Sequence, residues 1–136
     1  TRSEILLEAG VRDDDQRSEW IAINQQFHDC LIDAAQNWAL KIAINQMSNL
    51  PLVSAKAIIF DRKDNAKGLA QLRAAHYDHC EILAAVTQRQ GHRAEARMRE
   101  HAYANAQNKR VNLTDPETMM LARELPGGPL IAPKGN

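Results

Sequence analysis

The chain has 136 residues, enough for one domain with a hydrophobic core of its own. Its 17 basic residues (Lys and Arg) balance 17 acidic ones, so the formal net charge is zero. This balance excludes the basic surface that a nucleic-acid-binding domain ordinarily needs. No apolar stretch is long enough to cross a bilayer, and the first residues lack the pattern of a secretory signal. Two cysteines are too few for a disulfide framework, so we expect a protein of the reducing cytoplasm.

The composition favours an all-α fold. Glycine occurs six times and proline five times, and four of the prolines lie at residue 116 or later. Residues that favour helices, above all Ala, Leu, Gln and Glu, dominate the rest of the chain. Apolar residues that recur every three to four positions predict helices over 2–10, 17–36, 39–60, 69–89 and 93–111.

The long helices carry their apolar residues on one face each. On the helix over 17–36 these residues are Trp20, Ile23, Phe27, Leu31 and Ala34. On the helix over 69–89 the inner face comprises Leu72, Ala75, His79, Ile82, Leu83 and Val86. Pro51 should kink or split the helix over 39–60, and the polar residues 61–68 are interpreted as a loop. Trp20 and Trp38 are expected to pack at helix ends. The predicted architecture is an antiparallel bundle of four or five helices.

The C-terminal part of the chain has a clear helix start. Asp115 precedes Pro116, which predicts a short helix that ends near Glu124, because a capping acid and a proline at the first helical position favour initiation. The last ten residues are expected to form a loose tail. We therefore divide the chain into a ligand-binding helical bundle over 1–113 and a short helix with a flexible tail over 114–136.

Four residues with metal-binding side chains occupy related positions on three of these helices. Asn24 and His28 are four residues apart, so they share one helix face. His79 and His101 are 22 residues apart, and the break at 90–91 lies at their midpoint. Because antiparallel helices joined at that break place both residues at the same height, we expect the two imidazoles to face each other across a helical hairpin.

Such a facing pair of histidines is either a hydrogen-bonded part of the core or part of a metal site. If Asn24 and His28 reach the same level, three imidazole nitrogens and one amide oxygen converge. This donor set suits Zn, Ni, Mn, Co or Fe and leaves positions open for water or a small anion. Cys30 and Cys80 are expected to point away from the histidines.

The sequence also resembles a known family at three places. Residues 24–28 (NQQFH), followed by Leu31 and by residues 34–37 (AAQN), resemble the (D/N)-x-x-F-H…L…A-x-x-N signature of the FCD domain. Residues 78–82 (DHCEI) resemble its acid-His-x-x-Ile block, and residues 94–101 (AEARMREH) resemble its A-x-x-x-M-x-x-H block. The FCD domain is the C-terminal effector-binding domain of the FadR subfamily of GntR transcription regulators. The resemblance covers roughly residues 2–112.

The resemblance implies a function and a site. In this family a metal is held by one Asp or Asn and three His, which match Asn24, His28, His79 and His101. The metal is expected to be a divalent ion, with Zn as the first choice and Ni, Mn, Co or Fe as alternatives. It would bind a small carboxylate effector, and the complex would act on operator DNA through an N-terminal winged helix-turn-helix domain, which we expect to be missing here. We expect a cytoplasmic homodimer that neither acts as an enzyme nor binds a membrane.

Three departures from the family pattern accompany these expectations. Asn24 stands where many members have Asp, which gives a weaker, uncharged ligand. The first helix of the family's domain, which often supplies an Arg for the effector carboxylate, is expected to be missing together with the DNA-binding domain. Within the chain, Arg97 and Asn105 are the candidate effector-binding residues, although a solvated face for Arg97 and a core position for Asn105 are alternatives.

Two other functions remain open on the sequence alone. A helical-bundle metalloenzyme, such as a hydrolase or thiol transferase with a three-His site, would need an open metal position and a general base. Glu81 and Glu100 are adjacent to the histidines in sequence, which turns them away from the site on a helix. A plain helical interaction domain with core histidines is the remaining alternative.

Overall fold

The computed structural model describes residues 1–48, 50 and 55–125. This part of the chain consists of helices, turns and irregular segments and contains no β-strand. The helices are α1 (Arg2–Ala9), α2 (Asp14–Ala34), α3 (Trp38–Met47), α4 (Asn65–Thr87), α5 (Gly91–Asn112) and α6 (Pro116–Ala122). The fold is therefore all-α, as the composition predicts. None of these helices is long and apolar enough to span a membrane.

Side-chain caps start two of the long helices earlier than the apolar period predicts. Asp13 accepts a hydrogen bond from the backbone of Gln16, whose side chain bonds back to the Asp13 backbone, so α2 begins at Asp14. Asp64 caps the N-terminus of α4, where its side chain accepts a hydrogen bond from the backbone of Lys67. Residues 65–68 therefore form the first turn of α4 and not a loop. The prediction of a loop through residue 68 is wrong. It rests on the apolar period, and the polar residues that cap a helix and form its first turn do not contribute to that period.

The helix predicted over 39–60 is wrong over residues 55–60. Helix α3 ends at Met47, and residues 55–60 form a turn followed by irregular chain. The side-chain amide of Asn24 donates to the Ala55 carbonyl at 2.9 Å, and that of Asn112 donates to the Ile59 carbonyl at 2.7 Å. These tertiary hydrogen bonds satisfy the backbone without a helix, so they override the local period. The predicted kink at Pro51 lies outside the described residues.

The hydrophobic core joins the N-terminal helices to α4. Its buried residues are Leu6 and Leu7 of α1, Trp20 of α2 and Leu72 of α4. Trp20 is only 2% exposed in the body of α2, whereas Trp38 at the start of α3 is 76% exposed. The expectation that both tryptophans pack at helix ends is therefore wrong.

Helices α4 and α5 form the antiparallel hairpin that the sequence predicts. The turn is a Schellman motif, in which the Gln90 N–H donates to the Ala85 carbonyl at 2.8 Å and the Arg89 N–H donates to the Val86 carbonyl at 3.0 Å. Helix α5 starts at Gly91, directly after this turn. The turn therefore fixes which residues of the two helices stand opposite each other.

Part of the predicted inner face of α4 is exposed to solvent. Leu72, His79 and Ile82 are buried as expected, but Leu83 is 55% exposed and Val86 is 41% exposed. Helix α4 packs mainly against α5 and, through fewer contacts, against α1, so only a narrow stripe of its surface is enclosed.

The short C-terminal helix is also where the sequence predicts it. The Asp115 carboxylate accepts a hydrogen bond from the Thr118 backbone at 2.9 Å, and Pro116 is the first helical residue. Thr118 and Ala122 are buried, so α6 packs against the rest of the protein. The tail predicted for the last ten residues lies outside the described residues, and the division at residue 113 stays a prediction.

The hairpin turn provides a test of this part of the fold. Arg89 has a φ of 56°, a left-handed conformation that costs a residue with a Cβ atom more than glycine. We expect Arg89→Gly to raise the free energy of unfolding by roughly 0.5–1 kcal/mol in urea denaturation. Arg99→Gly, in the exposed interior of α5, is the control and should lower it by about 1 kcal/mol. If Arg89→Gly also lowers the stability, the turn does not have this conformation.

Candidate metal centre

Three helices each contribute one histidine to a single cluster. His28 comes from α2, His79 from α4 and His101 from α5, and one ring nitrogen of each lies within 4.8 Å of those of the other two. The Nε2 atoms of His79 and His101 are 3.3 Å apart. His79 is 7% exposed and His101 is 3% exposed. The prediction that these two imidazoles face each other across the hairpin is therefore confirmed.

The spacing of the cluster fits a divalent metal. Zinc binds imidazole nitrogens at about 2.0–2.1 Å in tetrahedral sites, which puts two ligand nitrogens roughly 3.3 Å from each other. The separation of the His79 and His101 nitrogens has this value. The same two nitrogens also form a hydrogen bond when one of them carries a proton. Their separation therefore fits either a metal ion or a hydrogen bond between them.

Phe27 orients two of the three histidine rings. Its ring stacks on that of His79, with centroids 3.9 Å apart and planes 17° from parallel. It also meets the ring of His28 edge to face at 5.2 Å. Apolar periodicity predicts only a core position for Phe27, whereas the structure shows that it also contacts two histidine rings of the cluster. The stacking limits how far either imidazole can rotate.

Asp78 orients the third histidine from the opposite side. Its Oδ2 lies 3.5 Å from Nδ1 of His101. A carboxylate at this nitrogen favours the tautomer with a proton on Nδ1, which leaves the lone pair of Nε2 directed into the cluster. The Asp78 carboxylate is in turn 3.8 Å from the guanidinium of Arg97, which also lies over the ring of Tyr77.

Arg97 is consequently not brought into the site. It was selected from the sequence as an effector-binding residue, but its contacts with Asp78 and Tyr77 hold it on the outer side of His101. It also does not belong to the wall of a cavity that adjoins the histidine cluster. The other candidate, Asn105, is on that wall, and its side-chain amide donates to His101 Nε2 at 2.9 Å. Asn105 must therefore rotate or withdraw if a metal takes that lone pair.

Asn24 is buried on α2, one helical turn before His28. It is 7% exposed and forms part of the same cavity wall. Its Nδ2 donates to the carbonyl of Ala55, which leaves Oδ1 as the atom of this amide that is able to bind a metal. The amide thus links the cluster to the irregular segment that follows α3.

Burial keeps the histidines of the cluster uncharged. It lowers the pKa of His28 to about 4 and the pKa of His79 to about 3, and it also lowers the pKa of His101. Protonation of one imidazole would also repel a charge on the next, which acts in the same direction for His28 and His79. At neutral pH the lone pairs that a metal requires are therefore present.

A cavity of about 640 Å³ adjoins the cluster. It lies between α2, α3, α5 and the irregular segment 55–59, and His28 and His101 form part of its wall. The polar residues on the wall include Asn24, His28, His101, Asn105 and Lys109. The cavity thus gives a small molecule a path to the histidines.

Lys109 is a residue that the sequence analysis missed. It lies on the cavity wall, and burial lowers its pKa. His101, Asn105 and Lys109 are spaced four residues apart and therefore share one face of α5. This spacing is the signal that would have identified Lys109.

The remaining candidates lie away from the cluster. Cys30 and Cys80 are exposed and free, as predicted. Glu81 forms an ion pair with Arg93 at 2.7 Å, and Glu100 is exposed. Within residues 1–48, 50 and 55–125, the potential metal-ligand cluster contains the three histidines and neither a thiol nor a carboxylate.

Comparison with known proteins agrees with this architecture. Searches of curated proteins and of solved structures returned no match. The family model for the FCD domain matches residues 4–104, well over half of the chain. That range contains most of α1, all of α2 to α4, most of α5 and all three histidines. The chain therefore belongs to the FCD family, the effector-binding domain of GntR-type transcription regulators.

Proposed function

We propose that this domain senses a carboxylate through a divalent metal held by His28, His79, His101 and Asn24. The observation that carries the proposal is the convergence of two buried imidazoles and one half-buried imidazole, all uncharged, beside a cavity. Buried polar groups ordinarily have partners, and a metal ion gives one partner to all three rings at once. Zinc is the metal that this donor set favours, because three imidazoles and one oxygen suit its tetrahedral geometry.

A carboxylate ligand follows from the charges around the cavity. A divalent ion with three neutral imidazoles and one neutral amide keeps its full positive charge, so an anion is the complementary ligand. The metal, when bound, would supply a Lewis-acidic position for one carboxylate oxygen. Lys109 and Asn105 lie further along the same face of α5, where an ammonium and an amide are placed to contact the rest of the anion.

Binding at this position would couple three helices. The proposed ligands come from α2, α4 and α5, so metal and effector together favour one arrangement of these helices over others. In a regulator, we expect this change to be transmitted to a linked winged helix-turn-helix domain and so to operator DNA. Assembly of the domain as a homodimer is part of the same proposal.

A metalloenzyme is a weaker interpretation of the same site. A three-His hydrolase needs a general base beside its metal-bound water. Among the described residues, the acids near the histidines in sequence are engaged elsewhere or exposed: Glu81 bonds Arg93, and Glu100 faces solvent. Asp29, which follows His28 and lies on the cavity wall, is exposed and accepts a hydrogen bond from the Gln25 amide. Asp78 contacts His101 on the nitrogen opposite the cluster, so it orients the ring and does not face a metal-bound water.

The first test concerns metal binding. We expect the purified chain to bind one zinc ion, and at a free zinc concentration of one hundred times Kd this should stabilise the fold by about 2.7 kcal/mol. His79→Gln should weaken zinc binding at least about 100-fold, since it removes one of four ligands. The control is His92→Gln, an exposed histidine in the first turn of α5. Equal binding by both variants in isothermal titration calorimetry would contradict the assignment.

The second test concerns the role of Asp78. Asp78→Asn should lower zinc affinity by roughly 10–100-fold without removing a ligand, because loss of an orienting carboxylate typically has this effect. Asp78→Glu should recover part of the loss, and Glu95→Gln, at an exposed ion pair on α5, should change nothing. An unchanged zinc affinity in Asp78→Asn would show that His101 is oriented by other contacts.

The third test concerns the effector. In a thermal-shift screen of monocarboxylic, dicarboxylic and hydroxy acids, at least one acid should raise the melting temperature of the zinc-loaded chain. EDTA should abolish the shift if the carboxylate binds the metal. Lys109→Met should raise the acid concentration that a given shift requires roughly tenfold, because it removes one charge-assisted contact. Zinc binding should persist in this variant. An equal shift with and without EDTA would exclude the metal from recognition.

A further inference from the structure

The wall of the cavity is chemically divided, and this division identifies the kind of acid that it accepts. Its polar part lies at the cluster, where Asn105 contacts His101 and Lys109 follows one turn later on α5. Most of the remaining wall is apolar. It comes mainly from the C-terminal half of α2, from α3 and from the segment after it, with further residues from α4 and α5. Representative residues of this apolar part are Leu31, Ile32, Ile44, Met47, Ile58 and Met98.

Several other polar side chains on the wall already have partners within the protein. The Ser48 hydroxyl donates to the Ile44 carbonyl, and the Gln71 oxygen accepts from Asn112. The Gln25 amide donates to Asp29 at 2.7 Å, whereas its Oε1 is buried without a hydrogen-bond partner among the described residues. The partnered groups therefore offer little to a ligand rich in hydroxyl groups, and Gln25 Oε1 is the one acceptor of these that stays open to a ligand. A hydroxyl group placed against the isoleucine and leucine side chains would lose its hydrogen bonds to water without replacement.

Helix α3 provides an independent observation. None of its residues is buried, although Leu40, Ile44 and Met47 all contribute to the cavity wall. Leu40 is 42% exposed and Met47 is 51% exposed. A helix this apolar ordinarily buries one face. An apolar ligand in the cavity would cover this face, whereas a small polar acid would leave it in water.

We infer that the effector is a monocarboxylic acid with an apolar body. Its carboxylate would lie at the histidine cluster, and its hydrocarbon chain or ring would lie between α2, α3 and α5. This inference rests on the proposed function for the position of the carboxylate. A cavity of about 640 Å³ is large for an acid of two or three carbons and falls in the usual range for larger organic ligands.

The test is calorimetry on the whole zinc-loaded chain with acids of one head group and increasing length. From acetate through butanoate to hexanoate, affinity should rise roughly threefold to fourfold for each added methylene group. Lactate and citrate should bind at least about tenfold more weakly than hexanoate. Hexanol, which has the chain but no carboxylate, should also bind more weakly.

A matched pair of variants on α3 locates the apolar body. Ile44→Asn changes a residue of the wall and should weaken hexanoate binding roughly tenfold while acetate binding is unaltered. Ile42→Asn, two residues earlier, changes an exposed residue outside the wall and should alter neither affinity. Circular dichroism and zinc titration of both variants show whether the fold and the metal site persist.

The outcomes separate the two proposals. Equal affinity across the series, or tighter binding of lactate or citrate than of hexanoate, overturns the inference and leaves metal-assisted carboxylate binding intact. A length-dependent series in which hexanol matches hexanoate, with no effect of EDTA, supports the apolar cavity and overturns the carboxylate function. Failure of every acid and of hexanol to bind overturns both.

Discussion

The juxtaposition of His79 and His101 across the α4–α5 hairpin is the contact on which the rest of the site depends. The Schellman turn at Arg89 sets the register of the two helices, and this register brings the two Nε2 atoms to 3.3 Å. Two buried imidazoles this close cannot both be charged, and either a hydrogen bond or a metal ion between the two nitrogens is compatible with their separation. His28 and the stacked ring of Phe27 complete the enclosure from α2.

A site of this kind links metal binding to folding. The three imidazoles are taken out of water by the same packing that forms the bundle, and their lowered pKa values show that burial opposes their charged forms. A metal that binds neutral imidazoles only in the folded chain adds its binding free energy to the stability of the fold. Asp78 and Phe27 each restrict a ring that would otherwise rotate, as the proposed metal site would require.

The features of the fold and the site that could be predicted from the sequence are those that depend on residues close together along the chain. The positions of His79 and His101 follow from the helical period and a turn at residues 89–91, and the shared face of Asn24 and His28 follows from their spacing. The non-helical conformation of residues 55–60 was not predictable, because amides 31 and 53 residues away donate to the carbonyls of Ala55 and Ile59. Helical position alone likewise cannot show that Arg97 turns outward to Asp78, since that depends on which neighbours pack beside it.

The central claim is that three histidines bind one metal ion, and X-ray absorption spectroscopy of the zinc-loaded chain tests it most directly. The account predicts a first shell of nitrogen and oxygen atoms at about 2.0–2.1 Å, with the outer-shell scattering of three imidazole rings. The imidazole scattering should decrease by one ring when His101 is replaced by glutamine. Sulfur at about 2.3 Å, or a shell with no imidazole contribution, would contradict the claim.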